Sequence, residues 1–180
     1  MESTSRRTID EAAITLREGR PEDAAANIDF FRRMFSEPGI NLITEADEYF
    51  PTIAGEARAI RDMNQADNSL YLVAETGGQI VGVLTLNGGK RRNVRHSAVL
   101  GITVAREWRG RGIGRRLMAH AVEWVRQTDI LTRIELHVFA RNTIAIALYE
   151  SLGFEVEGRL RNAVIRDGVY IDDLIMSLLL

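Results

Sequence analysis

The 180-residue sequence contains no cysteine. Disulfide bonds, zinc sites built on thiolates and a cysteinyl acyl-enzyme are therefore excluded for this sequence. Only three histidines are present, His96, His120 and His137, and none belongs to an HExxH motif. Without thiolates and with so few imidazoles, the sequence predicts no metal site.

Long apolar runs and a surplus of positive charge are absent as well. No run approaches the ~20 apolar residues of a membrane-spanning helix, and residues 1–12 lack the apolar core of a signal peptide. The formal net charge is −2, whereas binding to a nucleic-acid backbone generally needs a positive surplus. We therefore expect a cytoplasmic protein without nucleic-acid or membrane partners, with a flexible tail over residues 1–12 and one domain over residues 13–180.

The hydrophobic pattern predicts an α/β fold. Alternating or β-branched runs are typical of strands, and apolar residues spaced three and four apart are typical of helices. Because hairpin-connected strands are followed by alternating strands and helices, the order predicts a mixed sheet with helices on both faces. The predicted strands are 14–17, 70–75, 79–86, 98–104, 133–139, 154–158 and 169–180. The predicted helices cover about 21–38, 44–63, 113–125 and 143–152.

The most informative stretch is Glu107–Met118, which joins the fourth strand to the third helix. Its glycines allow the backbone to approach a ligand closely, and the free N–H groups at the helix start favour an anion. Its four arginines, which include Arg116, attract phosphate. We therefore predict a phosphate-containing ligand; the alternative is a glycine-rich turn with solvated arginines. The residues expected to contact the ligand are Arg109, Gly110, Arg111, Gly112, Ile113, Gly114 and Arg115.

Two common phosphate motifs do not fit this stretch. In a G-x-G-x-x-G motif beginning at Gly110 the third glycine would be Arg115, and the Gly-Lys-Ser/Thr of a P-loop is absent. The pattern R-x-x-G-x-G, formed by Arg109, Gly112 and Gly114, does fit, and it resembles the acyl-CoA loop of the GNAT superfamily of N-acetyltransferases. A second landmark of that superfamily is matched downstream, so the resemblance covers about residues 13–180. Its members here are Asn142, Ala145, Leu148, Tyr149, Gly153 and Phe154.

The resemblance implies acetyl-CoA as the donor and direct transfer of its acetyl group to a primary amine in a ternary complex. It also implies a mostly antiparallel sheet of about seven strands, splayed between strands 4 and 5 to admit the pantetheine arm. Gly101 in the fourth strand indicates a bulge or a close backbone approach there. By the same resemblance, further cofactor contacts are expected from Ile102, Thr103, Val104, Asn142 and Ala145.

Tyr149 is the expected general acid for the departing thiolate. A phenol, with a pKa of about 10, stays protonated, yet it can share a proton with a thiolate whose conjugate pKa is about 8.5. Asn142, Ile146 and Tyr149 are spaced i, i+4 and i+7, so one helix face carries both the expected cofactor-binding amide and the acid. The alternative is that Tyr149 is a packed aromatic residue.

Several residues are candidates for the base that removes a proton from the amine. At pH 7 a side-chain amine is only about 0.04% neutral, whereas an α-amine is about 14% neutral, so the former needs a base more. His137 lies twelve residues before Tyr149, where several relatives that acetylate protein N-termini carry a glutamate. The other candidates are His96, Glu135, Glu75 and a water relay.

The C-terminal segment 158–176 resembles that of bacterial amino-acid and polyamine acetyltransferases, so a small amine is the expected acceptor. Asp172 and Asp173 would either meet a cationic acceptor or form a solvated edge. By resemblance the N-terminal third overhangs the acceptor pocket. A protein N-terminal acetyltransferase and a non-catalytic acyl-CoA sensor are the alternatives, although retention of Tyr149 disfavours the sensor. The apolar end Leu178–Leu180 would be an unprotected sheet edge, which predicts a homodimer.

Overall fold

The computed structural model describes residues 14–180, so the predicted tail over residues 1–12 lies outside the described residues. The order of elements is the one predicted from the sequence. The strands are β1 (Thr15–Glu18), β2 (Leu70–Thr76), β3 (Gln79–Gly88), β4 (Ser97–Val104), β5 (Arg133–Phe139), β6 (Glu155–Arg166) and β7 (Val169–Leu179). The helices are α1 (Ala24–Phe35), α2 (Ile53–Gln65), α3 (Ile113–Arg126) and α4 (Thr143–Glu150).

All seven strands form one sheet in the order β1-β2-β3-β4-β5-β7-β6. Only β4 and β5 are parallel, and every other pair is antiparallel. This confirms the mixed, mostly antiparallel α/β fold. β7 lies between β5 and β6, but its pairing with β6 ends at Ser177, so Leu178 and Leu179 pair with β5 only. The homodimer expected from this apolar end stays a prediction. The two edge strands of the sheet are β1 and β6.

The two faces of the sheet are covered by different helices, as predicted. An added Cβ at Gly82 of β3 would lie 3.1 Å from Leu117 Cδ1, so α3 covers this face. Tyr71 of β2 points to the opposite face, where its hydroxyl accepts a hydrogen bond from Asn27 of α1 and contacts Glu56 of α2. We call this second side the α1–α2 face. The buried side of α3 is formed by Ile113, Leu117, Met118, Ala121, Val122 and Val125.

β4 and β5 are paired over only part of their length. Their register runs from Ser97 opposite Arg133 to Leu100 opposite Leu136 and then ends, although β4 continues to Val104. The strands therefore separate, as the resemblance implied. The β3–β4 register shows no shift at Gly101, so the bulge considered there is wrong. The close approach is confirmed, because an added Cβ at Gly101 would lie 3.2 Å from Thr85 Oγ1.

Two elements differ from the sequence-based expectation. The helix predicted over 44–63 is a short 3-10 turn, Ala46–Glu48, followed by α2. Pro51 separates the two because it disfavours a helical conformation at the preceding residue. Strand β6 has 12 residues rather than five. No helix between residues 14 and 180 is long and apolar enough to cross a membrane.

Candidate active site

A cleft of about 480 Å³ opens where β4 and β5 separate. One wall is the loop after α1, and the floor is the free end of β4. The remaining walls are the glycine-rich loop, the first turn of α3 and one side of α4. The lining residues are Gly39–Leu42, Ile102–Val104, Trp108–Gly110, Gly112–Arg115, Asn142, Ile144, Ala145, Leu148 and Tyr149.

The glycine-rich loop has a backbone that only glycine adopts readily. Gly110 and Gly112 have φ angles of 74° and 76°, in the left-handed region. Gly112 is the N-cap of α3, and no side chain caps this helix. The N–H groups of its first turn therefore face the cleft without a capping side chain, which makes an anion site. No atom lies within 4 Å of a Cβ added at either glycine, so a ligand can reach this backbone.

Arg109 acts as an anchor in this structure. Its Nε donates to the carbonyl oxygen of Val104 at 2.9 Å, and its two Nη atoms donate to Glu37 at 2.6 and 2.8 Å. The side chain of Glu37 is only 11% exposed. Arg109 therefore holds the glycine-rich loop to β4 and to the segment after α1, and its charge is paired with Glu37. Its expected contact with phosphate stays a prediction.

The other arginines of the loop have different surroundings. Arg115 donates to Ser151 Oγ at 2.8 Å, which links α3 to the end of α4 and leaves its positive charge without a carboxylate partner among residues 14–180. The guanidinium carbon of Arg111 lies 4.9 Å from the ring centre of Trp108, outside the cleft lining. Arg116 donates to the carbonyl oxygen of Ile14 and also lies outside it. Arg115 is thus the cleft arginine whose charge is free to attract an anion.

Helix α4 supplies Asn142 and Tyr149 to the cleft. Asn142 caps the helix, and its Oδ1 accepts a hydrogen bond from the Ala145 N–H at 3.4 Å. Tyr149 is 7% exposed and packs against Phe154, with ring centres 6.0 Å apart. Burial alone raises the pKa of Tyr149 to about 12. The phenol is therefore protonated at physiological pH, and its ring is packed as well as lining the cleft.

His137 lies on the face of the sheet opposite to α3. It directly follows Leu136, the last residue of β5 paired with β4, and it points to the α1–α2 face. Its Nδ1 is 2.7 Å from Asp173 Oδ2, and its side chain is 40% exposed. Its Nε2 is 3.9 Å from Glu135 Oε1. Val99 on the neighbouring strand is also exposed, so neither α1 nor α2 covers this part of the face.

None of the predicted bases, His137 included, is among the residues that line the cleft. His96 precedes β4, six residues before Ile102, which places it about 20 Å away along the strand. This position disfavours His96 as the base, and its expected role stays a prediction. Glu75 lies on β2, where it pairs with Arg17 at 2.7 Å. Asp172 accepts hydrogen bonds from the Asn162 N–H and from Arg159, and these contacts lower its pKa.

Sequence reasoning missed the wall formed by Gly39–Leu42, and it also missed Trp108. The wall is held from distant parts of the chain: Arg141 Nε donates to Asn41 Oδ1 at 2.9 Å, and Arg166 donates to the Leu42 carbonyl. Arg166 also pairs with Glu45 at 2.9 Å. These contacts span 100 residues or more, so no local sequence signal identifies them. The aromatic residue directly before R-x-x-G-x-G was the available signal for Trp108.

Known proteins that are similar to this chain include acetyltransferases. The chain is 38% identical over 106 residues to the L-amino acid N-acetyltransferase AaaT of Escherichia coli (strain K12). The match covers 59% of this chain and 65% of that relative, which is less than two thirds of its length.

Solved structures share the fold over nearly the whole chain. An acetyltransferase of the GNAT family from Streptococcus pneumoniae has 30% identity and a TM-score of 0.90, with 93% of this chain and 100% of that chain covered. A ribosomal-protein-alanine N-acetyltransferase from Brucella melitensis has 28% identity and a TM-score of 0.80, with 92% and 99% covered. The acetyltransferase (GNAT) family matches residues 38–154, more than half of the sequence. On the matching motifs, fold and sequence, the chain belongs to the acetyltransferase (GNAT) family.

Proposed function

We propose that the protein transfers the acetyl group of acetyl-CoA directly to the amine of a free amino acid or a related small molecule. One observation carries this proposal: the gap between β4 and β5 has the uncapped start of α3 and the protonated Tyr149 on one face of the sheet. On the other face it has the His137–Asp173 pair. A donor held on the α3 side would meet an acceptor held on the α1–α2 face.

The residues of the cleft fit an acyl-CoA donor. The first-turn N–H groups of α3 are suited to its diphosphate, and Arg115 adds a positive charge. Beyond Leu100, β4 is paired with β3 only. The opposite edge of Gly101–Val104 can therefore hydrogen-bond an extended amide chain such as pantetheine, in the manner of an added strand. N–H groups on this edge can also polarise a thioester carbonyl.

Tyr149 is the proposed general acid. When the C–S bond breaks, the sulfur takes the bonding electron pair and needs a proton. The Tyr149 hydroxyl is still protonated far above neutral pH, because burial raises its pKa to about 12. It lines the cleft with Asn142 and Ala145. The proposed step is the transfer of its proton, in whole or in part, to the departing sulfur.

His137 is the proposed acceptor of the amine proton. Removing that proton at pH 7 costs about 1 kcal/mol for an α-amine with a pKa near 7.8 and about 4.6 kcal/mol for a side-chain amine with a pKa near 10.4. His137 is half-exposed beside the gap, and Glu135 and Asp173 place negative charge next to it. Both carboxylates would also attract an ammonium group.

A free amino acid is supported by the charges along this face. Phe139 lies two residues beyond His137, and the Arg141 guanidinium carbon is 5.8 Å from its ring centre. Arg141 uses Nε to hold Asn41, which leaves its two Nη groups to bind a carboxylate. The carboxylates beside His137 complement the ammonium group of a zwitterion, and the Arg141 guanidinium complements its carboxylate. The relative in E. coli, named an L-amino acid N-acetyltransferase, supports the same class.

A protein N-terminus is the second candidate acceptor. The likeness to a ribosomal-protein-alanine N-acetyltransferase favours it. Such an acceptor offers an α-amine without an adjacent carboxylate, so it would leave Arg141 without a partner.

An acceptor panel tests the proposal. Release of CoA from acetyl-CoA would be measured with free amino acids, the same amino acids as primary amides, polyamines, and peptides with free N-termini. We expect a higher kcat/KM for the acids than for their matched amides. Faster turnover of peptides would support the alternative, and no release with any amine would leave only an acyl-CoA-binding role.

A further inference from the structure

We propose that Asp173 is the positioning residue for the proton acceptor, and that it fixes the tautomer and orientation of His137 so that Nε2 faces the acceptor amine. This inference rests on the function proposed above. It assigns to the buried carboxylate of Asp173 on β7 a task beyond its negative charge.

The geometry of the pair is specific. The distance of 2.7 Å between Asp173 Oδ2 and His137 Nδ1 is typical of a charge-assisted hydrogen bond. Asp173 is 4% exposed, and His137 is the hydrogen-bond partner of its side chain among residues 14–180. A carboxylate this deeply buried needs a partner. The sheet register fixes the pair, because Phe139 lies opposite Asp173 and Ile175 lies opposite His137.

The chemistry follows from which nitrogen carries the proton. An ionised carboxylate only accepts hydrogen bonds, so it holds neutral His137 as the Nδ1–H tautomer. The lone pair is then on Nε2, in a side chain that is 40% exposed. The other charged group near Nε2 is Glu135, at 3.9 Å, and Arg133 donates to Glu135 Oε2 at 2.8 Å. Arg133 thus restrains the orientation of Glu135.

The proposed step balances protons and electrons. The amine proton goes to His137 Nε2, and the nitrogen lone pair forms the new bond to the acetyl carbon. The C–S bond breaks, and the sulfur takes its electron pair and a proton from Tyr149. The second proton of the amine nitrogen leaves as the amide forms and restores the Tyr149 phenol, and His137 later returns its proton to solvent. The resulting imidazolium is flanked by Asp173 at 2.7 Å and Glu135 at 3.9 Å, so its positive charge is stabilised.

The first experiment observes the tautomer directly. Long-range ¹H–¹⁵N NMR of the full chain would assign the His137 ring by comparison with His137→Gln. We expect the Nδ1–H form in the wild-type protein. Asp173→Asn is nearly isosteric, and its amide can donate to Nδ1, so we expect the Nε2–H form in this variant. An Nε2–H tautomer in the wild-type protein would overturn the proposal.

The second experiment compares kinetics. Asp173→Asn should lower kcat by about 10²-fold, as expected for loss of general-base catalysis, while KM for acetyl-CoA is unchanged. The loss should be larger for acceptors with a higher amine pKa, a dependence that a merely structural role would not produce. The double variant with His137→Gln should lose no more than His137→Gln alone. Asp172→Asn is the matched control, because its carboxylate bonds Arg159 and the Asn162 N–H instead, and it should keep wild-type kcat.

The possible failures can be distinguished. Wild-type kcat in Asp173→Asn, together with a loss in His137→Gln, overturns the role of Asp173 and leaves His137 as the base. Wild-type kcat in His137→Gln overturns both roles, while acetylation itself stands. If the wild-type protein acetylates no amine, the proposed function fails, and the wild-type tautomer alone decides whether Asp173 orients His137. The same measurement decides the case if Asp173→Asn does not fold.

Discussion

Tyr149→Phe separates proton donation from packing. The variant keeps the ring that packs against Phe154 at 6.0 Å and deletes the only proton that the side chain can give. If Tyr149 is the general acid, kcat should fall by about 10² to 10⁴. The affinity for acetyl-CoA should barely change. Residual turnover is expected, because solvent can still protonate the thiolate.

The raised pKa of Tyr149 adds a second signature, at high pH. An unfolded tyrosine ionises near pH 10, whereas the buried Tyr149 keeps its proton to about pH 12. The stability that this group contributes is therefore fully present below pH 10 and is lost as the pH rises to about 12. The loss is on the order of 2–3 kcal/mol. Tyr149→Phe does not titrate, so its stability should fall less than that of the wild-type protein across this window.

The assay combines three measurements on one preparation. CoA release gives kcat, titration calorimetry gives the Kd for acetyl-CoA, and chemical denaturation between pH 7 and 11.5 gives the free energy of unfolding. Tyr170→Phe is the control, because Tyr170 is 62% exposed and far less packed. A variant with preserved kcat but weaker binding or lower stability at pH 7 would make Tyr149 a packing residue and refute the reasoning.

Three further predictions concern the cleft and the sheet edge. Acetyl-CoA should raise the Tm, and Gly112→Asp should remove most of that shift, because φ is 76° and a negative charge would enter the anion site; an unchanged shift would mean that the loop is an ordinary turn. Arg115→Gln should weaken acetyl-CoA binding at nearly constant Tm, whereas Arg109→Gln should cost about 1 kcal/mol of stability by leaving Glu37 unpaired; calorimetry and denaturation would contradict this if both variants behaved alike. Sedimentation at micromolar concentration should show a dimer that Leu160→Glu on edge strand β6 disrupts, since Leu160 is 44% exposed; a wild-type monomer would exclude it.

Local patterns predicted much of the fold. The alternation over 133–139 gave the bounds of β5, because side chains two apart on a strand face the same side. The turn between β2 and β3 contains Gly77 and Gly78, whose φ angles of 53° and 78° suit glycine, a residue type that marks hairpin turns in a sequence. The N-cap position of Asn142 is also a local feature, because its side-chain oxygen accepts a hydrogen bond from the N–H three residues later. Each of these features depends on neighbours within a few residues.

The missing parts depend on contacts between distant residues. The pairing of His137 with Asp173 needs the β5–β7 register, which no local pattern states. Arg109 was expected at a phosphate because its motif suggested it, but its partner Glu37 is 72 residues away. His96 was considered because of its residue type. His96 lies just before the start of β4, whereas β4 and β5 separate at its other end, and the sequence does not state at which end they separate.

The three arginine contacts to the loop after α1 bear on how such a chain can change its acceptor. Arg109, Arg141 and Arg166 lie in three distant parts of the chain, and each fixes a different point between Glu37 and Glu45. Not every residue between these points is part of the core: Ile40 is buried in it, whereas Ile43 is 66% exposed and contributes little to the fold. Substitutions there can reshape the wall of the cleft while the donor site and the core stay intact. The acceptor can therefore change through substitutions in this loop, without substitutions that would weaken donor binding.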